Sequence, residues 1–283
     1  MRVLLTNDDG VFADGLRALA EALKAVAEVV VVAPDRERSG TGHAITMHHP
    51  LRVQEIPSVV EDVSGWAVDG TPSDCVKLAV HALLKELPDI LVSGINRGPN
   101  LGTDVLASGT VSAAVEGMLA GIPSVAVSVA DYRCEDFTAT ADFTVDLLGR
   151  IAGRGLPPGT ILNVNVPSLP RQHLAGVVLT RLGRREYTNI FDCRVDPRGR
   201  VYYWLAGELV DLENGCDTDA GAVARNLISV TPLHLDLTNY EMLREMESWR
   251  LDLPGGEAKR FSGPDGEVHD GIDPGRKSPD GNG

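Results

Sequence analysis

The chain has 283 residues, and its 40 acidic and 26 basic residues give a net charge of −14 at neutral pH. Because 43% of the residues are apolar and 23% are charged, the chain can bury a large core, which excludes global disorder. The acid excess argues against a nucleic-acid polymer or an anionic membrane as a partner, since both require a basic surface. A small anionic substrate held by a metal ion or by backbone amides is compatible with this charge.

The sequence favours a cytoplasmic protein with reduced thiols. The apolar run at residues 3–5 ends at Asn7 and is too short for a signal peptide. No window approaches the roughly 18 apolar residues of a membrane span. Four cysteines lie far apart without any paired spacing, which argues against a disulfide framework or a zinc knuckle. They are Cys75, Cys134, Cys193 and Cys216.

The first half of the chain alternates strand-like and helix-like patterns. Short apolar runs predict buried strands, and apolar residues at helical spacing predict the intervening helices. The predicted strands are 3–6, 29–33, 90–93, 124–129 and 161–166, and the helices are 15–27, 72–84, 109–119 and 137–151. Helices between apolar strands indicate parallel βαβ units. We therefore predict an α/β fold with a Rossmann-like, mostly parallel sheet and helices on both faces.

The second half changes character. Residues 175–205 are rich in strand-forming residues with a hairpin signal at 196–199, and a strand at 226–231 and a helix at 241–251 follow. We predict a β-rich C-terminal arm over about 175–250 that serves oligomer contacts, although a simple extension of the sheet edge is an equal alternative. The domain is predicted to span residues 1–253. Residues 254–283 hold eight glycines and four prolines, a composition typical of a disordered tail.

The strongest local feature is Asn7-Asp8-Asp9-Gly10, directly after the first predicted strand. Ligands of open α/β sheets bind outside the carboxyl ends of the strands. Two adjacent carboxylates at such a place repel each other and lose hydration unless a cation lies beside them. The motif therefore predicts a divalent metal site at Asp8 and Asp9, with a solvated turn as the alternative.

A polar loop follows the second predicted strand. It contains Ser39, Gly40 and His43. Ser39 offers a hydroxyl oxygen, and Gly40 lets the backbone approach an anion closely. His43 is a candidate catalytic residue, although a lone histidine is more often structural or solvated. A flexible surface loop is the alternative interpretation.

The third loop follows the strand at 90–93 and leads into a helix. Asn96 and Asn100 offer amide side chains in a glycine-rich segment, and Ser108-Gly109-Thr110 begins the helix. Hydroxyls and free amides at a helix N-terminus suit a phosphate group, although the same residues cap helices without any ligand. No Walker A lysine follows. Because the three loops converge on one sheet edge, we predict metal-assisted hydrolysis of a phosphoryl group.

Several motifs together resemble the SurE family of survival proteins, over roughly residues 1–250. They are Asn7-Asp8-Asp9-Gly10, Ala33-Pro34-Asp35-Arg36 with Arg38-Ser39-Gly40, Gly70-Thr71-Pro72 with Asp74-Cys75, Ser93-Gly94-Ile95-Asn96 with Gly98-Pro99-Asn100-Leu101-Gly102, Ser108-Gly109-Thr110-Val111, Asn163-Val164-Asn165-Val166-Pro167, Thr218-Asp219 with Ala222-Val223, and Ser229-Val230-Thr231-Pro232-Leu233. This resemblance implies a metal-dependent phosphatase of nucleoside 5′- and often 3′-monophosphates that in some members trims short polyphosphate. It also implies a homodimer or homotetramer that exchanges C-terminal elements.

The resemblance further implies roles for individual residues. One divalent ion per subunit, Mg²⁺, Mn²⁺ or similar, would be held by Asp8, Asp9, Ser39 and Asn96. The phosphate pocket would be formed by the helix start and the third loop. Its expected substrate-binding residues are Asn7, Gly40, Asn96, Asn100, Ser108, Gly109 and Thr110. Beside what the resemblance implies, we hypothesise that Asp8 or Asp9 also orients or deprotonates the nucleophile and that His43 protonates the leaving oxygen. The chain departs from many relatives at Ala44 and Ala107, which leaves the substrate preference open.

Three other classes of protein are alternatives, and each would have different features. A haloacid-dehalogenase-type phosphatase would need Asp-x-Asp, whereas Asp8 and Asp9 are adjacent. A phospho-receiver module would need a lysine at a later strand end, whereas Lys77 and Lys85 precede that strand. A non-catalytic nucleotide-binding regulator would bind nucleotides without releasing phosphate. The sequence also leaves open whether Glu116 caps a pocket wall or faces solvent.

Overall fold

The structure, a computed structural model, describes residues 1–188, 190–213 and 215–249. The chain divides into two compact units, Met1–Leu235 and Asp236–Gly283. The predicted tail at 254–283 lies outside the described residues, so the domain boundary at 253 stays a prediction. Over the described ranges, no helix combines the length and the apolarity needed to cross a bilayer.

The first unit contains a sheet of nine strands, in the order β3-β4-β2-β1-β5-β6-β7-β13-β8. The six strands from β4 to β7 run parallel, and β3 and β13 are antiparallel to their neighbours β4 and β7. The strands of this sheet are β1 (Arg2–Thr6), β2 (Glu28–Pro34), β3 (Val53–Val60), β4 (Val63–Val68), β5 (Ile90–Arg97), β6 (Ser124–Val129), β7 (Thr160–Val166), β8 (Gly176–Leu179) and β13 (Leu227–His234).

Helices cover both faces of this sheet. They are α1 (Asp14–Leu23), α2 (Pro72–Leu78) with a π-helical turn (Ala79–Leu83), α3 (Gly109–Leu119), α4 (Thr138–Arg154) and α5 (Asp219–Val223). The second unit contains α6 (Tyr240–Met246). Successive side chains of β1 point to opposite faces of the sheet and contribute to two cores. Val3 and Leu5 pack with α1 and α4, whereas Leu4 packs with α2 and α3. The predicted Rossmann-like, mostly parallel sheet with helices on both faces is therefore confirmed.

Some element boundaries differ from the prediction. Helix α1 ends at Leu23 rather than at 27, because the chain must turn back into β2, and Val26 is left exposed. The β3–β4 hairpin was not predicted, because most side chains of β3 are exposed and its apolar pattern is weak. Strand β5 continues past Ser93 to Arg97, so Asn96 lies in the strand rather than in the following loop.

Gly94 explains how β5 continues through a glycine. Its φ is +144°, and a Cβ atom at this position would lie 2.3 Å from the carbonyl oxygen of Val127 on β6. The pairing of β5 with β6 shifts its register between Ser93 and Asn96. Only glycine tolerates this backbone conformation and this close approach. In the sequence the glycine suggests a loop, whereas in the fold it lies in an irregular strand.

The order of the strands fixes where a ligand site lies. Strand β1 stands between β2 and β5, so the chain moves to one side of β1 and later returns to its other side. Such a reversal is a topological switch point, where a crevice opens outside the carboxyl ends of the strands. Asp8 and Asp9 follow β1, and Asn96 lies near the end of β5, so the fold brings both sets of residues to this crevice.

The β-rich arm contains two antiparallel strand pairs. Strand β9 (Arg185–Thr188) pairs with β12 (Glu208–Asp211), and β10 (Phe191–Val195) pairs with β11 (Val201–Leu205) through the predicted hairpin turn. The predicted β-rich character of this region is confirmed. In the second unit, α6 ends at Met246 and a 3₁₀ turn (Glu247–Trp249) follows, so the predicted helix at 241–251 forms over a shorter range.

The carboxylate of Asp74 accepts several hydrogen bonds that stabilise the start of α2. Asp74 lies at the start of α2, where the hydroxyl of Thr71 accepts from its amide and its carboxylate accepts from the amide of Thr71. Thr46 adds two bonds, from its amide (3.0 Å) and its hydroxyl (2.6 Å). Burial alone would raise the pKa of Asp74, but these hydrogen bonds from Thr46 and Thr71 outweigh it, and the pKa is lowered.

We expect Asp74→Asn to lower the free energy of unfolding by about 2 kcal/mol at pH 7, because a charged acceptor of several bonds is lost. The pKa is lowered by folding, so this loss should be fully present above about pH 4 and should shrink as the pH falls through the folded pKa. Urea unfolding at several pH values measures it. Asp62→Asn, at an exposed residue with φ of +64°, is the matched control and should be nearly neutral. An equal loss for both variants would contradict the prediction.

Candidate active site

The loop after β1 is closed by its own asparagine. The side-chain amide of Asn7 donates to the carbonyl of Gly10 (3.0 Å), and its oxygen accepts from the amide of Gly10 (3.2 Å). Asn7 is fully buried. Both ends of its side chain are thus used to shape the turn that presents Asp8 and Asp9. Its predicted contact with substrate stays a prediction.

Asp8 and Asp9 are held by different parts of the fold. The hydroxyl of Thr110 donates to Oδ1 of Asp8 at 2.6 Å, which connects the loop to α3. The amide of Arg97 donates to Oδ2 of Asp9 at 3.1 Å, which connects the loop to β5. Asp8 is buried, and Asp9 is half-buried. The two carboxylates are therefore fixed by the framework of the fold.

Both carboxylates are electrostatically costly as anions. Burial raises the pKa of Asp8 to about 6, against a hydrogen bond from Thr110 that lowers it and with a further contribution from the charge of Asp9. Burial also raises the pKa of Asp9, and the charge of Glu37 adds to this effect. A bound cation would offset these penalties, so the pair has the electrostatics of a site built for positive charge.

Two further residues with side-chain oxygens, Ser39 and Asn96, each adjoin a residue whose amide donates to Asp8 or Asp9. The amide of Arg38 donates to the carbonyl of Asp8 (2.7 Å), which places its neighbour Ser39 at the site, and Ser39 lines the same cavity as Asp9. Asn96 precedes Arg97, and its Nδ2 donates to the carbonyl of Gly98 (2.7 Å). This bond fixes the amide so that Oδ1 is the atom left for a ligand.

The first turn of α3 approaches Asp8 closely. Ser108 caps the helix by accepting from the amide of Val111 at 3.1 Å. A Cβ atom on Gly109 would lie 2.8 Å from Cβ of Asp8 and 3.0 Å from its Oδ2. The positive end of the helix therefore points at the carboxylate region and suits an anion bound next to a cation. Because the hydroxyl of Thr110 donates to Asp8, its predicted role as a phosphate ligand stays a prediction.

Gly40 and Asn100 are placed differently. Gly40 has a φ of +69° on an exposed turn beside Ser39, with open space around it. Asn100 is buried in an amide network, in which its Nδ2 donates to Ser128 and its carbonyl accepts from Asn163 and Asn165. Asn100 therefore anchors the third loop to the sheet. Its predicted contact with phosphate stays a prediction.

The third loop has a second set of anchors in the arm. Oδ2 of the fully buried Asp219 accepts from the amide of Gly102 at 2.7 Å, and Oδ1 accepts from the amide of Gly183 at 2.8 Å. Asp104 pairs with Arg185 at 2.9 Å, and it accepts from the hydroxyl of Tyr187 at the same distance. The loop between β5 and α3 is thus attached to the sheet on one side and to β9 on the other.

His43 contacts a buried carboxylate. Its Nε2 lies 2.8 Å from Oε2 of Glu116 on α3, and the other oxygen of Glu116 pairs with Nζ of Lys77 at 2.6 Å. Glu116 is only 5% exposed, so the alternative in which it faces solvent is wrong. The contacts among these three residues could not be predicted from the sequence, because the residues belong to a loop and to two different helices.

A cavity of about 520 Å³ opens beside Asp9 and Ser39. The exposed rings of Phe12 and Tyr132 line it. Arg97 also lines it, pairs with Asp14 at 3.0 Å and stacks over Phe137. These residues were missed from the sequence, because no motif marks an aromatic residue that a distant loop brings to the mouth of a site.

The donor set fits a hard divalent cation. Asp8, Asp9, Ser39 and Asn96 supply only oxygen ligands, which Mg²⁺ and Mn²⁺ prefer. In the ranges that the structure describes, no group of three or more His, Cys, Asp or Glu is placed to hold a metal. A soft or zinc-like centre therefore has no support there, whereas a mixed carboxylate, hydroxyl and amide site is consistent with the residues present.

The fold and the site define a doubly wound α/β protein with its ligand crevice at the topological switch point. Comparison with known proteins specifies this class further. The family model described as "Survival protein SurE" matches residues 3–189. The chain belongs to the SurE family.

Individual relatives cover nearly the whole domain. The chain is 56% identical over 258 residues to "5'-nucleotidase SurE" of Heliobacterium modesticaldum, covering 91% of this chain and 94% of the relative. It is 53% identical over 262 residues to the protein of the same name in Carboxydothermus hydrogenoformans, covering 91% and 99%. A crystal structure of the SurE protein from Aquifex aeolicus superposes with a TM-score of 0.77 at 43% identity, covering 88% of this chain and 99% of the other.

Proposed function

We propose that this protein is a divalent-metal-dependent 5′-nucleotidase that hydrolyses nucleoside 5′- and 3′-monophosphates to nucleoside and phosphate, and that also accepts short polyphosphate. The observation that carries the proposal is the pair of Asp8, which is buried against the N-terminus of α3, and the half-buried Asp9, both with raised pKa values at the switch point. The names of the relatives support the same activity.

Asp8, Asp9, Ser39 and Asn96 would hold the ion. When bound, it supplies positive charge to a phosphoryl oxygen and lowers the pKa of a bound water. The N-terminus of α3, with Ser108, Gly109 and Thr110, would hold the remaining phosphoryl oxygens by amides and hydroxyls. Asp8 or Asp9 would orient the attacking water, so that positioning and electrostatics provide most of the rate.

The proposed function is tested by phosphate release from the metal-stripped protein. AMP, GMP, 3′-AMP and tripolyphosphate are offered with Mg²⁺, Mn²⁺ or EDTA. We expect release from the nucleotides with at least one divalent ion and none with EDTA. Tight nucleotide binding without release would favour the non-catalytic regulator. A trapped phosphorylated aspartate would favour the haloacid-dehalogenase-type mechanism.

The cavity beside Asp9 and Ser39 offers a place for the nucleoside. It continues directly from the proposed metal site, and the ring of Phe12 is 61% exposed on its wall. An exposed ring next to a phosphate site is suited to stacking against a nucleobase, an interaction that contributes about 1–3 kcal/mol. We therefore propose that Phe12 and Tyr132 contact the base.

We expect Phe12→Ala to raise KM for AMP about tenfold with little change in kcat, because base stacking contributes to substrate binding. The KM for tripolyphosphate, which has no base, should stay constant in the same variant. Leu87→Ala is the control, since Leu87 is similarly exposed but precedes β5, at the opposite edge of the sheet. A parallel rise in KM for both substrates would place Phe12 in the phosphate site and contradict the stacking role.

The exposed apolar side chains of the arm support a proposal for assembly. In β10 and β11, Phe191, Tyr203, Trp204 and Leu205 are each more than half exposed. An isolated two-stranded hairpin is marginal in water. We propose that a second copy of this chain covers it, in a homodimer or a homotetramer. Trp204→Asp is expected to shift the mass measured by light scattering toward the monomer, and an unchanged mass would contradict this assignment.

A further inference from the structure

His43, Glu116 and Lys77 form a connected trio of titratable side chains on the flank of α3. Glu116 is 5% exposed and uses both carboxylate oxygens, Oε2 toward His43 at 2.8 Å and Oε1 toward Lys77 at 2.6 Å. With both oxygens occupied from different directions, the carboxylate has one orientation. His43 is about one-third exposed, so one edge of its ring faces the buried carboxylate while part of it reaches solvent.

The loop that carries His43 extends from the metal site to the flank of α3. At its start, the amide of Arg38 donates to the carbonyl of Asp8 at 2.7 Å. At its end, the amide of Gly42 donates at 3.0 Å to the carbonyl of Ala107, the residue before Ser108. His43 therefore begins one residue away from a contact with the start of the proposed phosphate-binding turn.

Helix α3 places Glu116 on the same face as that turn. Ser108, Ser112 and Glu116 are spaced by four residues, so they line one side of the helix, and the hydroxyl of Ser112 donates to the carbonyl of Ser108 at 2.7 Å. The ring of His43 contacts this side of the helix at Glu116, and the amide of the preceding Gly42 donates to the carbonyl of Ala107 at its N-terminal end. The position of His43 combines a fixed orientation with proximity to the end of the helix that would hold phosphate.

We propose that Glu116 is a positioning residue that holds His43 as the general acid for the leaving oxygen, and that Lys77 fixes Glu116 in turn. This inference rests on the proposed function. A carboxylate accepts, so Nε2 of His43 carries the hydrogen that it donates to Glu116. Nδ1 is then the nitrogen that exchanges a proton with the substrate.

The proton balance is simple. Attack by water forms a new P–O bond as the bond to the nucleoside oxygen breaks, and its electron pair stays on that oxygen. The imidazolium gives its Nδ1 proton to this oxygen and becomes neutral while it still donates through Nε2. The attacking water loses one proton, through the phosphate or solvent, and one proton from solvent restores the imidazolium. No further reactant is needed.

The test compares leaving groups. Nucleoside oxygens need a proton to leave, whereas p-nitrophenolate leaves from p-nitrophenyl phosphate without one. We expect His43→Asn to lower kcat for AMP about 100-fold, and Glu116→Gln about tenfold, with at least a tenfold smaller loss on p-nitrophenyl phosphate in His43→Asn. The double variant should be no worse than His43→Asn alone, because Glu116 acts through His43.

Matched controls are His48→Asn and Glu55→Gln, both at exposed residues away from the site, which should lose neither activity. Equal losses on both substrates, or additive losses in the double variant, would show a structural role and overturn the proposal. Because His43 is partly exposed, His43→Asn provides the leaving-group test even if Glu116→Gln does not fold. If the wild-type protein released phosphate from no nucleotide, the proposed function itself would be wrong. That result is distinct from equal losses in the variants, which would overturn only the role of His43 and Glu116.

Discussion

Asp8→Asn is expected to lower kcat for AMP by at least about 10³-fold with saturating Mg²⁺ or Mn²⁺. The substitution removes the charge of one of two carboxylates proposed to hold the ion, at a position where Thr110 and the start of α3 fix the side chain. Loss of a charge that stabilises the transition state directly is among the most damaging changes in an enzyme. Steady-state kinetics with a titration of each divalent ion measures the loss. Activity close to wild type would contradict the metal assignment.

The same variant should be more stable than the wild type in EDTA. Burial raises the pKa of Asp8 to about 6 in the folded protein, above its value of about 4 in the unfolded chain, so the ionised carboxylate opposes folding. Asparagine removes that cost, which corresponds to about 3 kcal/mol. The gain should be complete above pH 6 and should vanish as the pH falls below 4, where Asp8 is protonated in both states.

Urea unfolding at pH 5 and pH 8, with EDTA throughout, measures whether Asp8→Asn raises the free energy of unfolding. Asp62→Asn again serves as the matched control, because it removes an exposed carboxylate for which little change is expected. Opposite effects on activity and stability would identify Asp8 as a residue retained for function at the expense of folding. A lower stability of Asp8→Asn at pH 8 would contradict the electrostatic argument.

Gly109→Ala is expected to lower kcat about 100-fold while the protein stays folded. The added methyl group would lie 2.8 Å from Cβ of Asp8 and 3.0 Å from its Oδ2, so either the carboxylate or the first turn of α3 must move. A displacement of about 1 Å at a reacting centre costs about this much in rate. Alanine is otherwise favourable in a helix, so the loss comes from the clash alone.

Gly149→Ala is the matched control for this substitution. Gly149 lies in α4, and a Cβ atom there meets nothing within 4 Å. We expect unchanged kinetics and slightly higher stability, because alanine replaces glycine in an open helical position. Thermal melts of both variants separate a displaced site from unfolding. If Gly109→Ala kept wild-type kcat and KM, Asp8 and α3 would not form one site.

The parts of the site that follow from local chemistry could be predicted from the sequence. The strand β1 and the turn that presents Asp8 and Asp9 depend on an apolar run and an Asn-Asp-Asp-Gly motif. The N-cap of α3 by Ser108 also depends on neighbouring residues only. The α/β class followed from the alternation of such segments, and these elements needed no long-range information.

The rest depends on contacts between distant residues. One partner of Glu116 is His43, 73 positions away, and the carboxylate of Asp9 accepts from the amide of Arg97, 88 positions away. The exposed strand β3 has no apolar stripe that would reveal it, and it forms because β4 offers an edge for pairing. Residues such as Phe12 and Tyr132 acquire their proposed roles only because the fold places them at one cavity.

Asp219 has a consequence for how assembly and catalysis are connected. Its single carboxylate ties the loop after β5 to the base of the arm, and Asp104 repeats the connection to Arg185 of β9. The arm is therefore fixed to the loop between β5 and α3 by two carboxylates, those of Asp219 and Asp104. If the proposed second copy binds the arm, its binding would act on the residues before Ser108 and could change the proposed site without contributing any group to it.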